Sequence, residues 1–278
     1  MGEPAGFEFR GFQLACWRGG AGEPLLLVHG FPTSSLDWER LWPLLAARHE
    51  MHAIDMLGFG LSDKPVDFPY SVAASADQWQ ALVEARGLRE VGILAHDYGD
   101  TVAQELLARQ LEHGLPFRIS KVAFLNGGLF PEATFPLLVQ RALLGPFGPL
   151  VARVSSERRF HATMKRICAR PLPAEELHEH WRRLVRAGGR RVLPSLIGYI
   201  RERHLRRERW VGALEYADVP LCLINGPADP VSGASIVARW RELLPAAPVT
   251  ELPGVGHYPQ WEAPQEVAAA FARFCAPA

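Results

Sequence analysis

The stretch Val91-Gly92-Ile93-Leu94-Ala95-His96-Asp97-Tyr98-Gly99-Asp100-Thr101 decides how this chain is organised. Residues 91–95 are an apolar run with the length of a buried strand. Over residues 102–111 the apolar positions recur at helical spacing, so a sharp turn must join the two. Asp97 stands at its apex. Ala95 and Gly99, two residues to either side, are small enough to let strand and helix approach closely, the arrangement that presents one reactive side chain on a tight strand-to-helix turn. An aspartate there narrows the chemistry. Serine attacking a saturated carbon would leave an ether that water does not readily cleave, whereas a carboxylate leaves an ester with an electrophilic carbonyl. The expected reaction is displacement at an sp³ carbon, in an epoxide or a carbon–halogen bond. A plain helix cap is the alternative reading of Asp97, and these few residues leave both open.

Outward from this turn the same rhythm repeats. Residues 24–28 read as a buried strand that runs into His29-Gly30-Phe31-Pro32, residues 51–56 as a second, and residues 119–125 as a third closing at Asn126. Between them, residues 36–48 and 73–86 are expected to be helical, and residues 57–65 form a glycine-punctuated loop that lacks the spacing of a phosphate cradle. Residues 7–16 open the chain as a β-meander. Residues 220–224 and 249–252 restore the strand pattern late in the chain, with helices over 234–244 and 264–274. Strands alternating with helices imply right-handed crossovers and a mainly parallel sheet, an α/β fold.

Residues 129–215 break the rhythm. They contain no convincing strand, helical patches at 173–186 and 193–209, and 17 Lys/Arg against 8 Asp/Glu, a net +9 in a chain of formal net charge zero. The expected organisation is a core of residues 1–128 and 216–278 with a helical cap, residues 129–215, over the carboxyl ends of the strands, where α/β proteins bind ligands. Basic charge without interleaved stacking aromatics argues against nucleic acid. The run Arg201 to Arg209 raises a membrane-surface role as an alternative, but ion pairing with Glu202 and Glu208 on a solvated helix face is preferred.

The whole chain, 278 residues with 48% hydrophobic content, is long enough for one large domain with an insertion. Cys16, Cys168, Cys222 and Cys275 are widely spaced, without a metal-ligand pattern, so no metal and no cofactor is expected. No basic leader and no window near the ~20 apolar residues of a membrane span is present, which places the expected protein in the cytoplasm.

Asp97 follows one strand, Asp229 a later strand, and His257 lies in the loop after the last. Type, chain order and strand-end placement together point to a nucleophile, acid and histidine triad. His29-Gly-Phe-Pro, Asp55-x-x-Gly-x-Gly-x-Ser62, His96-Asp-Tyr-Gly99 and Gly-x-x-Asp229 resemble the epoxide hydrolase and haloalkane dehalogenase branch of the α/β-hydrolase superfamily. More narrowly, His29-Gly-Phe-Pro-Thr-Ser-Ser, the run from His96 to Leu107, Phe124-Leu-Asn-Gly-Gly, Arg209-Trp-Val-Gly-Ala-Leu and His257-Tyr-Pro-Gln resemble the mesoderm-specific transcript subgroup.

The resemblance implies that Asp97 is alkylated and that His257, oriented by Asp229, activates the water that cleaves the ester. It implies an oxyanion hole of the Phe31 and Tyr98 N–H groups, a cis Phe31–Pro32 bond, and a pocket involving His29, Pro32, His96, Trp181 and Tyr258. Tyr98 and Phe31 stand where dehalogenases carry halide-binding Trp and Asn, which disfavours halide, although Trp181 could contribute. Tyr199, in the cap, resembles one of the two tyrosines with which epoxide hydrolases protonate the opening ring. Residues 129–170 hold no tyrosine for the other part, leaving Tyr199 alone or helped by His161 or Tyr98. The implied partner is a small apolar or amphipathic organic substrate. A dehalogenase or other C–X or ester hydrolase, a small-molecule receptor on this fold, and a homodimer through the cap stay open as alternatives.

Overall fold

Eight strands form one sheet: β1 (Ala5–Phe9), β2 (Phe12–Gly19), β3 (Glu23–Val28), β4 (His49–Ile54), β5 (Glu90–His96), β6 (Arg118–Leu125), β7 (Leu221–Asn225) and β8 (Val249–Glu251). The computed structural model describes residues 1–276. Spatial order is β1-β2-β4-β3-β5-β6-β7-β8, with β1/β2 and β2/β4 antiparallel and every later pair parallel.

The central strands are apolar throughout because both faces are covered. Leu26, Val28, Val91, Ile93, Ala95, Val122, Phe124, Leu221 and Leu223 enter the core on one face. Leu25, Leu27, Leu94, Ala123, Leu125, Cys222 and Ile224 enter that on the other. The alternation is the strand period of two, and each of the Val, Leu, Ile and Phe side chains contributes roughly 1.5–3 kcal/mol by burial. Register then sets the position of the site. Val28 pairs with Ala95, Ala95 with Phe124 and Phe124 with Leu223, so the strands end level and their following residues share one edge.

The helices of the core are α1 (Trp42–Leu45), α2 (Val72–Ala85) and α3 (Tyr98–Leu111). Between β6 and β7 lie α4 (Leu138–Leu144), α5 (Gly148–Arg153), α6 (Glu157–Ile167), α7 (Ala174–Val185), α8 (Leu193–Leu196), α9 (Tyr199–Leu205) and α10 (Arg207–Glu215). The chain closes with α11 (Ala234–Leu243), α12 (Pro259–Glu262) and α13 (Pro264–Cys275).

Two expected helices are broken. Residues 36–48 form a 3₁₀ turn, Ser35–Trp38, and then the short α1, because Pro43 cannot donate an N–H and its ring crowds the carbonyl four residues back. Residues 193–209 divide into α8, α9 and the start of α10. Gly198, a poor helix former, stands at the first break, and Arg206 leaves helical geometry at the second with φ −109 and ψ 16. The ion pairs expected within the run from Arg201 to Arg209 form elsewhere. Arg207 pairs with Glu132, Arg209 with Glu105 and Glu112, and the Glu202 carboxylate accepts the Val72 N–H. All four cysteines are free. Among the described residues no helix is long and apolar enough to cross a membrane.

Candidate active site

Asp97 sits between β5 and α3 with φ 50 and ψ −104, a strained backbone for a residue with a side chain. The close approach that forces it is measurable at Gly99, where an added Cβ would stand 2.1 Å from the Val28 carbonyl oxygen. Asp97 makes no side-chain cap bond to its own helix, which removes the capping alternative. Instead, its Oδ2 accepts the Phe31 N–H at 2.9 Å, and the Phe31–Pro32 bond is cis. The Tyr98 N–H belongs to the first residue of α3, a position that has no acceptor within a helix.

His257 Nδ1 lies 2.7 Å from Asp229 Oδ2. Asp229 is heavily solvated by the protein: Val231 N–H, Ser232 N–H, Ser232 Oγ and Asn126 Nδ2 all donate to its carboxylate at 2.7–3.1 Å. Burial would raise its pKa, but the adjacent imidazole and these donors outweigh it and hold the carboxyl down at about 2. Burial likewise opposes protonation of His257, yet the carboxylates of Asp229, Asp97 and Glu262 raise the ring to about 9. With Nδ1 committed to Asp229, Nε2 is the nitrogen free to act on a ligand.

A cavity of ≈ 150 Å³ reaches this edge. That is the scale of a cavity that accepts a benzene-sized apolar molecule. Phe31, Pro32, Val231 and His257 form its core side, and Leu143, Val151, Phe160, Met164, Trp181 and Leu184 are among its helical walls. Asp97 does not line it. The cavity ends on Phe31 and His257, the residues that bond to Asp97 and that feel its charge.

Of the residues implied for the pocket, Pro32 and Trp181 line the cavity and His29, His96 and Tyr258 do not. Each of these three is used internally. The buried His29 ring bonds Gly30 O through Nδ1 at 2.9 Å and takes the Met56 N–H on Nε2 at 3.1 Å. His96, kept neutral by burial and the neighbouring His257 with a pKa near 3, donates from Nε2 to the His257 carbonyl at 2.8 Å. Tyr258 is stacked on Trp261 at 4.1 Å, fully buried.

Tyr199 is also off the cavity lining. Its ring packs 5.9 Å from Phe31 and 4.8 Å from Tyr98, and burial with the charge of Asp97 keeps its hydroxyl protonated well beyond the ordinary range. The suggested helpers are occupied elsewhere. Tyr98 Oη bonds Ser75 Oγ at 2.8 Å, and the half-buried His161 ring lies on α6 with Nε2 3.5 Å from Glu157.

Three residues with clear structural parts were not singled out from sequence. Arg203, inside the run read as solvated, is 5% exposed. Its Nη2 donates to the Asp97 carbonyl at 2.9 Å and lies 3.8 Å from Asp97 Oδ1, and its Nε donates to Thr101 Oγ1 at 2.7 Å. The Gly127-Gly128 pair carried the available signal, since a Cβ on Gly128 would stand 2.2 Å from Arg203 Nη1. Asn126 braces the Asp229 loop, accepting the Gly226 N–H and donating to Gly226 O. Glu262 accepts the N–H groups of Ala169, Arg170, Gly256 and Tyr258, tying the histidine loop to the end of α6.

Residues 25–270 match the alpha/beta hydrolase family. The chain is 39% identical over 257 residues to LipZ of Mycobacterium tuberculosis, covering 91% of this chain and 89% of that protein. It is 39% identical over 256 residues to the mesoderm-specific transcript homolog protein of Homo sapiens, covering 88% and 76%. The solved structure of the epoxide hydrolase CorEH superimposes with a TM-score of 0.78, 22% identity and coverage of 98% and 97%, a likeness of fold.

Proposed function

The chain belongs to the alpha/beta hydrolase family, and from that premise we propose that it is a hydrolase in which Asp97 is the nucleophile and a small epoxide the substrate. One observation carries the proposal. The apical carboxylate is held by Phe31 N–H and flanked by Arg203, with no bond to its own helix, and the His257–Asp229 pair stands beside it.

In the first step an Asp97 oxygen bonds to an epoxide carbon, the carbon–oxygen bond breaks, and the alkoxide takes a proton. Tyr199 is the proposed donor, because burial keeps it protonated. In the second step alkylation has removed the Asp97 charge that helps hold His257 protonated, so the ring, its extra proton released to solvent, takes a proton from water on Nε2 and the hydroxide adds to the Asp97 carbonyl carbon. The N–H groups of Phe31 and Tyr98 receive the resulting oxyanion, an effect of roughly 3 kcal/mol or more per donor. On collapse the leaving alkoxide takes the proton held by His257, the Asp97 carboxyl proton returns to the Tyr199 oxygen, and the diol leaves a carboxylate that has gained one oxygen from water. Arg203 is proposed as a positioning residue that holds the Asp97 backbone, and residues 129–215 as the cap that supplies the apolar walls.

A haloalkane is the second reading, favoured by Trp181, which lines the cavity and could offer its indole N–H to a halide. One experiment separates the two. His257→Gln blocks the hydrolytic step, so incubation with pooled epoxides and haloalkanes followed by intact mass measurement is expected to show a whole epoxide added at Asp97. An alkyl group added without its halogen would replace the epoxide reading by the second. Turnover by the wild type without any adduct in His257→Gln would overturn the nucleophile assignment, and no adduct with no turnover by the wild type would favour a substrate outside both pools or a binding role.

A further inference from the structure

Residues 135–154 hold an unusual concentration of exposed apolar side chains. Phe135, Leu138, Val139, Phe147, Leu150 and Val154 are between 42% and 74% exposed, and only four other large hydrophobic side chains are comparably exposed among the described residues. Scattered apolar residues on a surface are ordinary, whereas six on a helical hairpin and the residues flanking it form a patch that calls for an occupant. The hairpin is α4 packed on α5, and it is also the outer wall of the cavity. Val139, Leu143 and Val151 line the cavity, and Val139 is itself exposed.

Charge identifies the occupant. Residues 133–156 contain Arg141 and Arg153 and no Asp or Glu. Arg159 donates to the Val154 carbonyl, Arg190 to that of Ser155, and Arg201 to that of Leu144, which brings three further guanidiniums onto the hairpin. All five are exposed, and none has a carboxylate within 4.0 Å among the described residues. Apolar side chains rimmed by unpaired arginine suit a surface that is apolar inside and anionic at its rim. A symmetric pairing of two copies through this face would instead set like charges against each other.

We infer that the α4–α5 hairpin docks on anionic lipid bilayers, its apolar side chains entering the acyl boundary and its arginines meeting lipid phosphate and carboxylate groups, so that the cavity mouth opens at the membrane surface. Arg201 is the one member of the Arg201–Arg209 run that the docking surface includes. That surface stands independently of which bond the enzyme cleaves.

The test is co-sedimentation of the full chain with vesicles of phosphatidylcholine alone and of phosphatidylcholine with phosphatidylserine, at low and high salt. Binding is expected to the mixed vesicles and to fall with salt. The double substitution Leu138→Glu/Phe147→Glu and the double substitution Arg141→Glu/Arg153→Glu should each lower partitioning at least ~10-fold. All four positions are exposed, so an unchanged melting temperature shows that the fold persists. The inference is overturned by absence of sedimentation with mixed vesicles at low salt, or by equal binding of wild type and both variants. It is also overturned if sedimentation velocity detects a self-associated wild type that Leu138→Glu/Phe147→Glu dissociates while no vesicle binds.

Discussion

The strand ends and the helical segment between β6 and β7 both build this site, and they are held by different means. At the strand ends, position follows from backbone geometry: level register, a strained turn at Asp97, and a loop whose Asp229 is fastened by four donors. The helical segment reaches the same edge through side-chain and loop contacts, the Ala169 and Arg170 N–H groups on Glu262 and the Tyr199 ring on Phe31 and Tyr98 among them. Arg203 touches Asp97 and Thr101, and the Ile167 carbonyl accepts the His257 N–H at 2.9 Å. The difference separates two tasks. A sheet edge can hold reacting groups within a few tenths of an ångström, while short helices with exposed faces can vary cavity shape and surface without moving them.

The largest expected effect tests whether the strand-end groups carry the chemistry. Asp97→Asn keeps an acceptor for Phe31 N–H but removes the proposed nucleophile, so turnover should fall by ~10³-fold or more with little loss of stability. Steady-state rates and thermal melting on the same sample check it. A variant that retained activity would move the chemistry away from the elbow.

Arg203→Met tests whether the helical segment also organises the elbow. The Asp97 carbonyl and Thr101 Oγ1 would lose their buried donor, at a cost of roughly 2–3 kcal/mol in stability and a slower alkylation step. Denaturant unfolding and single-turnover adduct formation read the two effects. Loss of stability with an unchanged alkylation rate would confine Arg203 to packing.

The pH dependence of stability sharpens the part played by the His257–Asp229 pair. His257 is raised in the folded protein from its ordinary 6.5 to about 9, so its contribution is fully present below 6.5 and is lost as pH rises through about 9. The melting-temperature difference between wild type and His257→Gln should therefore shrink steadily over that window. A difference independent of pH would contradict the raised imidazole. Asp229 behaves oppositely, its contribution lost only as pH falls towards about 2.

Trp181→Phe should give the smallest effect. The side chain lines the cavity and packs 5.9 Å from Phe160, so a smaller ring should change KM severalfold and leave stability within about 1 kcal/mol, since phenyl keeps most of the packing. A much larger loss confined to halogenated substrates would give the indole N–H a direct part in leaving-group binding.

Sequence alone determined the features that depend on local periodicity and chain order. Residues 91–101 specify strand, apex and helix because apolar spacing and small flanking residues are properties of a short segment, and the order of Asp97, Asp229 and His257 is visible without coordinates. Tertiary structure decided which faces turn inward. Arg203 sits amid arginines that are exposed or half-buried, and its burial follows from where α9 meets the elbow and from the space left by Gly128. His29, His96 and Tyr258 flank the site residues in sequence, yet their rings are held by buried backbone and aromatic partners and do not line the cavity. Contacts between segments a hundred residues apart, such as Arg203 to Asp97 or Glu262 to Ala169 and Arg170, depend on packing that no local pattern encodes.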